Sequence, residues 1–291
     1  QQRPWERERE RERMVRLLLL SLPLVASLRA AAPVVQLQAA SRAPVLLASA
    51  EVIAEPAPLG AVDWGDVVKY KAATLFEFGL LAGIFRTVDA VGTLPSFCVP
   101  PIFAFLALRS RVFSALPASR PDRAAQEGKA TPRDVKRPSW TPPGIAFPII
   151  WTTIAVLRAT SALLSWRACG RTLFCAPLLA LALHLSIGDT WNCITNVERR
   201  LGTSALGVLS VWGSVVAAVV VAYRATPIAG FVLAPSAVWI SIATVLTWTI
   251  WSINEPRQPL LPRKGDGKSA KLEMPLLADG KWQAAGPPKK K

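Results

Sequence analysis

Eleven tryptophans stand in this 291-residue chain. An indole ring can stack on another flat apolar ring, or anchor a helix end at a lipid headgroup. Trp5 and Trp282 lie in end segments whose composition predicts no fixed structure, and Trp64 precedes the main apolar region. The other eight are Trp140, Trp151, Trp166, Trp191, Trp212, Trp239, Trp248 and Trp251. Trp248 and Trp251 are spaced i, i+3, so on a helix they share a face. Three ionisable residues, Arg158, His184 and Asp189, fall inside apolar runs. Such groups are costly at membrane depth and are functional hypotheses by default. Counting ~1.5 Å per residue from the expected helix ends, Arg158 and Asp189 differ in depth by roughly 12 Å, too far for a direct salt bridge. No nucleophile–base pair and no Gly-rich phosphate loop is visible, so nothing points to a hydrolase, kinase or dehydrogenase.

These residues need elements to position them, and the elements are apolar blocks. The chain is 52% hydrophobic with a mean hydropathy of +0.33, although it carries 25 prolines. A first span is expected from about Val91 to Leu108, kinked by Pro95, Pro100 and Pro101. Four more blocks, roughly 145–166, 173–194, 205–223 and 228–251, each approach the ~20 residues a bilayer requires. Short joining loops force antiparallel neighbours. The fold class is therefore all-α, an integral membrane bundle of five transmembrane helices over 91–254. Residues 61–90 read as an amphipathic segment before the bundle, carrying Phe76, Phe78, Leu80, Leu81, Ile84 and Phe85. Residues 255–291 read as a disordered basic tail.

The amino-terminal region reads as address rather than fold. Residues 1–13 are rich in Arg and Glu and precede the first Met, Met14; they read as a non-native or untranslated-derived segment. Residues 14–60 combine a short apolar core, Leu17 to Leu28, with a stretch free of acidic residues up to Ala50 that carries Arg29 and Arg42. A signal core followed by transit-like chemistry predicts delivery to an organelle, with a plastid membrane favoured over a mitochondrial or endoplasmic reticulum membrane.

Net charge is +15. The basic residues flank the apolar runs, which argues for membrane loops and against nucleic acid as a partner. The 109–141 loop carries eight Lys/Arg and the tail nine, and five spans put both on one side. Trp151, Trp191, Trp212, Trp248 and Trp251 then lie toward that same end, with Trp140 just ahead of the second span. Trp166 falls at the opposite interface, where an aromatic belt explains it. A belt occupies both interfaces; a one-sided cluster suits a pocket for a flat aromatic ligand. The four cysteines, Cys98, Cys169, Cys175 and Cys193, form no CxxC pair, and with a single histidine they predict neither a structural metal site nor a disulfide framework.

Residues 137–167, RPSWTPPGIAFPIIWTTIAVLRATSALLSWR, carry Pro-Ser-Trp-x-Pro-Pro-Gly, then Phe-x-Pro-x-Trp-Thr, then Trp-Arg. Residues 199–202 read Arg-Arg-Leu-Gly, and 235–254 read PSAVWISIATVLTWTIWSIN. In that order these marks resemble the TspO/MBR family, the tryptophan-rich sensory or translocator proteins. The resemblance implies a five-helix bundle, often a homodimer, that binds tetrapyrroles and in some members sterols. It places the ligand beneath the loop before the second helix and between the second, third and fifth helices. Carried over residue by residue, it implies Trp140, Pro142, Pro143, Trp151, Trp191, Trp248 and Trp251 as ligand-binding; Asp189, counted to near the level of Trp151, and Asn192 are further ligand-binding candidates. His184, two turns before Trp191 on the same face, is a candidate either to ligate haem iron or to hydrogen-bond a porphyrin carboxylate. The chain departs from the family at Ala155, where a Tyr is usual, and at Arg158, where a small residue or Met is usual. Gly188 takes the place of an Asn. The animal-type sterol motif needs a Tyr and then an Arg where Trp248 and Ser252 stand.

The leading expectation is a membrane protein that binds porphyrin or haem as sensor, scavenger or carrier, with no obligatory cofactor. The alternatives are a light- or oxygen-dependent porphyrin-degrading enzyme and a sterol- or lipid-binding translocator.

Overall fold

The computed structural model describes residues 60–92, 94–117 and 135–273. Residues 1–13, nearly all of the 14–60 targeting region, the end of the tail, and Trp5 and Trp282 lie outside the described residues. Among the described residues six helices carry the fold: α1 Trp64–Val91, α2 Val99–Arg109, α3 Ala146–Ala168, α4 Ala176–Asn192, α5 Leu201–Ala225 and α6 Pro227–Ile253. A 3₁₀ turn, Ser110–Phe113, follows α2, and a π-helical turn, Cys193–Val197, extends α4. Among the described residues the only extended pairing is an antiparallel bridge between Val62 and Arg263.

Among the described residues three helices, α3, α5 and α6, are long and apolar enough to cross a membrane. Their bounds match three of the expected blocks to within four residues. The α4 block is 17 residues of α-helix before its π turn. The segment expected as a first span is different. Val91 ends α1, and the chain restarts as an 11-residue helix, about 16 Å long and half of a ~30 Å hydrocarbon core. Pro100 and Pro101 do not kink a span. They sit in the first turn of α2, where a missing N–H costs no hydrogen bond.

Around the bundle α4 packs on α5, α5 on α6, α6 on α3 and α3 on α2, while α1 packs on α4. The shared core holds Leu81, Phe85, Phe103, Trp166, Leu178 and Leu233. Trp166 is 1% exposed inside this core, so it is a packing residue and not a member of an interfacial belt.

The buried stripe of α1 is Asp66, Tyr70, Ala73, Glu77, Leu81 and Phe85, at the 3–4 residue spacing of one helix face. Leu75, Phe76 and Ile84 of the same helix are exposed. The inner face is therefore polar toward the start of α1 and apolar toward its end, and large apolar side chains point outward, as they do where the surroundings are lipid.

Past α6 the chain folds back on the bundle. Residues 255–273, expected to be disordered, make defined bonds to α1 and α5: the Asp63 amide donates to Pro262 O (2.8 Å), the Lys264 amide to Ala61 O (3.0 Å), the Leu201 amide to Gln258 Oε1 (2.8 Å), and the Ala270 amide to Asp66 Oδ2 (3.1 Å). The Glu273 amide reaches Ala115 O just past the 3₁₀ turn, at 2.7 Å. Lys136, before α3, exchanges two bonds with the side chain of Asn254, at 2.8 and 2.9 Å. Both ends of the basic 109–141 loop are thus bonded to the chain that follows α6.

Candidate functional site at the tryptophan end

The short α3–α4, α4–α5 and α5–α6 connections make α3 and α6 antiparallel neighbours. Trp151 lies five residues from the start of α3 and Trp248 five residues from the end of α6, so both sit about 7.5 Å inside the same end. Trp248 and Trp251 meet edge to face, ring centroids 5.3 Å apart, a favourable arrangement for two aromatic quadrupoles. Trp251 Nε1 donates to Gln258 O at 2.7 Å, while Trp248 Nε1 is buried without a hydrogen-bond partner. Trp191 Nε1 donates to Ser204 O at 3.0 Å. Its indole packs close to Gly207, where an added Cβ would fall 3.2 Å from the ring.

Ahead of α3, Trp140 is exposed in a turn closed by Thr141, whose amide and hydroxyl both donate to Pro138 O, at 3.0 and 2.7 Å. Pro142 is half-buried and Pro143 exposed, and Pro143 O accepts the Ala146 amide at 2.9 Å as α3 begins. Trp212 does not join this end. It lies 11 residues into α5, about 16 Å deep, 43% exposed, with Nε1 donating to Ser241 Oγ at 3.0 Å. Counting the block from residue 205 placed it too near the end, because α5 begins four residues earlier.

His184 is buried deeper. Arg158 Nη2 lies 2.8 Å from His184 Nε2, and His184 Nδ1 lies 2.9 Å from Ser214 Oγ, which donates to Val211 O at 2.8 Å. The partners assign the tautomer: a guanidinium can only donate, so Nε2 accepts and Nδ1–H donates to the serine. Both ring nitrogens are engaged, which leaves no lone pair for haem iron and corrects the candidate ligand role of His184. Arg158 is not paired with Asp189, in line with their difference in depth. Asp189 Oδ2 instead accepts from Ser110 Oγ at 2.5 Å, and Asn192 Oδ1 accepts from Arg111 Nη1 at 2.8 Å.

His184→Ala is expected to alter haem and metal-free protoporphyrin binding equally. It should also lower stability by about 1–3 kcal/mol for each buried partner left unsatisfied. Soret titrations with both ligands and thermal melts in detergent check this; a selective loss of haem binding would restore the ligand role.

Two features were missed in the sequence. Glu77 of α1 is fully buried and faces Asp189 and Ser114 without a well-formed hydrogen bond to either. Arg200 centres a buried charged hub. It lies 2.7 Å from Asp66, 3.4 Å from Asp266 and 3.7 Å from Glu198, and donates to Tyr70 Oη at 2.9 Å. Tyr70 in turn donates to Glu198. The preceding residue, Arg199, takes the left-handed backbone region, φ 57°, at the sharp α4–α5 reversal. Burial opposes the charge on Asp66, but the Ala270 amide, Arg200 and Lys69 outweigh it and hold the carboxyl below its ordinary value. The helix-face spacing of Asp66, Tyr70 and Glu77 could have revealed the polar stripe.

Two cavities lie away from this end. An enclosed space of about 20 Å³ among α1–α4, where Arg158 is the one polar side chain in the lining, has room for about one water. An open groove of about 410 Å³ runs along α6 past Phe231, Pro235 and Trp239.

Residues 110–252 match the TspO/MBR family. The chain is 28% identical over 127 residues to Protein CrtK of Rhodobacter capsulatus, covering 43% of this chain and 79% of that one. It is 27% identical over 122 residues to the translocator protein of Homo sapiens, covering 41% and 72%. To the tryptophan-rich sensory protein of Cereibacter sphaeroides it is 24% identical over 121 residues, covering 42% and 75%. The matched segment holds α3 to α6, every tryptophan of the site and an outward-facing apolar surface, and on these grounds the chain belongs to the TspO/MBR family of integral membrane proteins.

Proposed function

We propose that this protein binds a tetrapyrrole at the tryptophan end of the bundle and acts as a sensor, scavenger or carrier of it. The observation that carries the reading is the shared level of Trp151 and Trp248 on antiparallel neighbours, with Trp251 edge-on to Trp248. Two indoles at one depth suit a flat apolar macrocycle, and Trp140, Pro142 and Pro143 stand where the chain turns into α3. Trp191, Asp189 and Asn192 complete the end from α4. Titrating purified protein in detergent with protoporphyrin IX tests this. Saturable quenching in the dark supports binding, and no quenching defeats it. Loss of the porphyrin spectrum only under light favours the degrading enzyme, since clustered indoles can reduce an excited macrocycle.

We further propose a plastid membrane as its location and a homodimer as its assembly. A fluorescent protein fused behind residues 14–60 is expected to accumulate at plastids in microscopy; a diffuse cytosolic signal overturns the targeting reading.

A further inference from the structure

The segment after α6 lies beyond the family match, which ends at residue 252, yet it is bonded to the end of α6 and the starts of α5 and α1. It starts over Trp251, whose indole N–H donates to Gln258 O. It then presses on the start of α5, where a Cβ at Gly202 would fall 2.1 Å from Pro259 O, so only glycine admits this approach. It pairs with residues 61–63 before α1, and Ala270 is fully enclosed against Asp66. Two ties into the charged hub pin it: Asp266 to Arg200 at 3.4 Å, and Lys268 Nζ to Arg199 O at 2.8 Å. The strap therefore joins α6, α5 and α1 over the end where Trp191, Trp248 and Trp251 sit. Elsewhere the enclosed cavity of about 20 Å³ is far below the roughly 300 Å³ or more of a ligand pocket, and the groove of about 410 Å³ along α6 is open.

We propose that residues 255–273 are a gate over the tryptophan end, and that a macrocycle enters and leaves only when the strap lifts from α1 and the hub. The proposal rests on the ligand reading above and adds how that site is controlled. Because Asp66 and Arg200 hold the strap from the bundle side and Asp266 and Lys268 tie it from its own side, the hub sets how often the gate opens. The gate changes rates of binding more than affinity, since it bears on the path and not on the stacked rings.

A cross-link tests this directly. Val62 and Arg263 face each other between the two flanking bonds, Asp63 N to Pro262 O and Lys264 N to Ala61 O. That makes them a non-hydrogen-bonded antiparallel pair with Cα atoms about 4.5 Å apart, within the range a disulfide spans. The double variant Val62→Cys/Arg263→Cys is oxidised with glutathione disulfide, which takes up the two electrons and two protons as two molecules of glutathione. Disulfide formation is checked by mass, and failure to form contradicts the pairing itself. In stopped-flow mixing with protoporphyrin IX, the oxidised variant is expected to bind at least about tenfold more slowly than the reduced one, because the competent open fraction falls. Reduction should restore the rate. Wild type treated the same way controls for Cys98, Cys169, Cys175 and Cys193. Asp266→Asn, which loosens one tie without touching the tryptophans, should bind and release several-fold faster. Equal rates for oxidised and reduced forms in a protein that binds porphyrin overturn the gate and leave the ligand reading standing. Absence of porphyrin binding by wild type overturns both.

Discussion

Trp151→Ala or Trp248→Ala is expected to weaken protoporphyrin binding by roughly 5- to 150-fold. The range comes from base–aromatic stacking, about 1–3 kcal/mol per ring by alanine substitution, with ~1.4 kcal/mol equal to tenfold. A suitable control is Trp212→Phe. Trp212 lies mid-helix on the α5–α6 seam and bonds Ser241, so its replacement should leave affinity nearly unchanged. Trp166, which the topology alone suggests as a control at the far interface, is unsuitable. It is enclosed in the core, and truncation there costs about 3–5 kcal/mol in stability. Tryptophan-fluorescence titrations, with helicity checked by circular dichroism, measure the effect. Equal losses from Trp151→Ala and Trp212→Phe would show that the indoles act as membrane anchors and not as a stack.

Arg200→Ala should be the most damaging single change outside the spans. It leaves Glu198 in buried surroundings without its ion-pair partner and Asp66 with only the half-exposed Lys69, and breaking a buried pair in this way costs about 3–5 kcal/mol. Arg200→Lys should recover part of the loss, since one ammonium cannot reach Asp66, Asp266 and Tyr70 together. The effect should depend on pH. Asp66 is held below its ordinary 3.8, so its contribution is complete above that value and is lost as pH falls through the lowered folded value. The stability gap between wild type and Arg200→Ala is therefore widest near neutrality and narrows below about pH 3.8. Denaturation in detergent at pH 7 and pH 3 reads both, and a gap that is constant over that interval would remove Asp66 from the hub.

The bundle was legible because a membrane-facing helix advertises itself by length and apolarity alone. The three expected blocks that became α3, α5 and α6 needed nothing else. The block at 91–108 misled for a physical reason: Pro100 and Pro101 read as kinks inside a span, whereas a proline serves equally well to start a helix, and apolar content does not distinguish the two. The amphipathic reading of residues 61–90 named Phe76, Leu81, Ile84 and Phe85 together, but the fold divides them: it buries Leu81 and Phe85 and leaves out Phe76 and Ile84. In water the apolar face of a helix turns inward, but here those side chains are exposed and Asp66, Tyr70 and Glu77 are buried. The candidate site was legible in its tryptophans, whose depths follow from helix register except at Trp212, where the helix begins four residues before the expected block. Its charged surroundings were not, because Asp66, Arg200 and Asp266 are joined only by the folded chain. A proline-rich, lysine-rich tail has the composition of a disordered segment whether or not a partner surface awaits it.

The bond between Ala270 and Asp66 spans 204 residues of chain, and this has a consequence for biogenesis. At about 5–20 residues per second, α1 is made roughly 10–40 s before the segment that closes over its first turn. Early in that interval Lys69 is the one cation beside Asp66, and Arg200 and then Asp266 join the hub as they are synthesised. A half-made chain that ends before residue 200 therefore carries Tyr70 and the Asp66–Lys69 pair at the head of its first helix without the rest of the hub. A chain truncated before residue 266 keeps the Arg200–Asp66 pair but lacks Asp266 and the Ala270 amide, so it should be less stable than the full chain even when every membrane span is present.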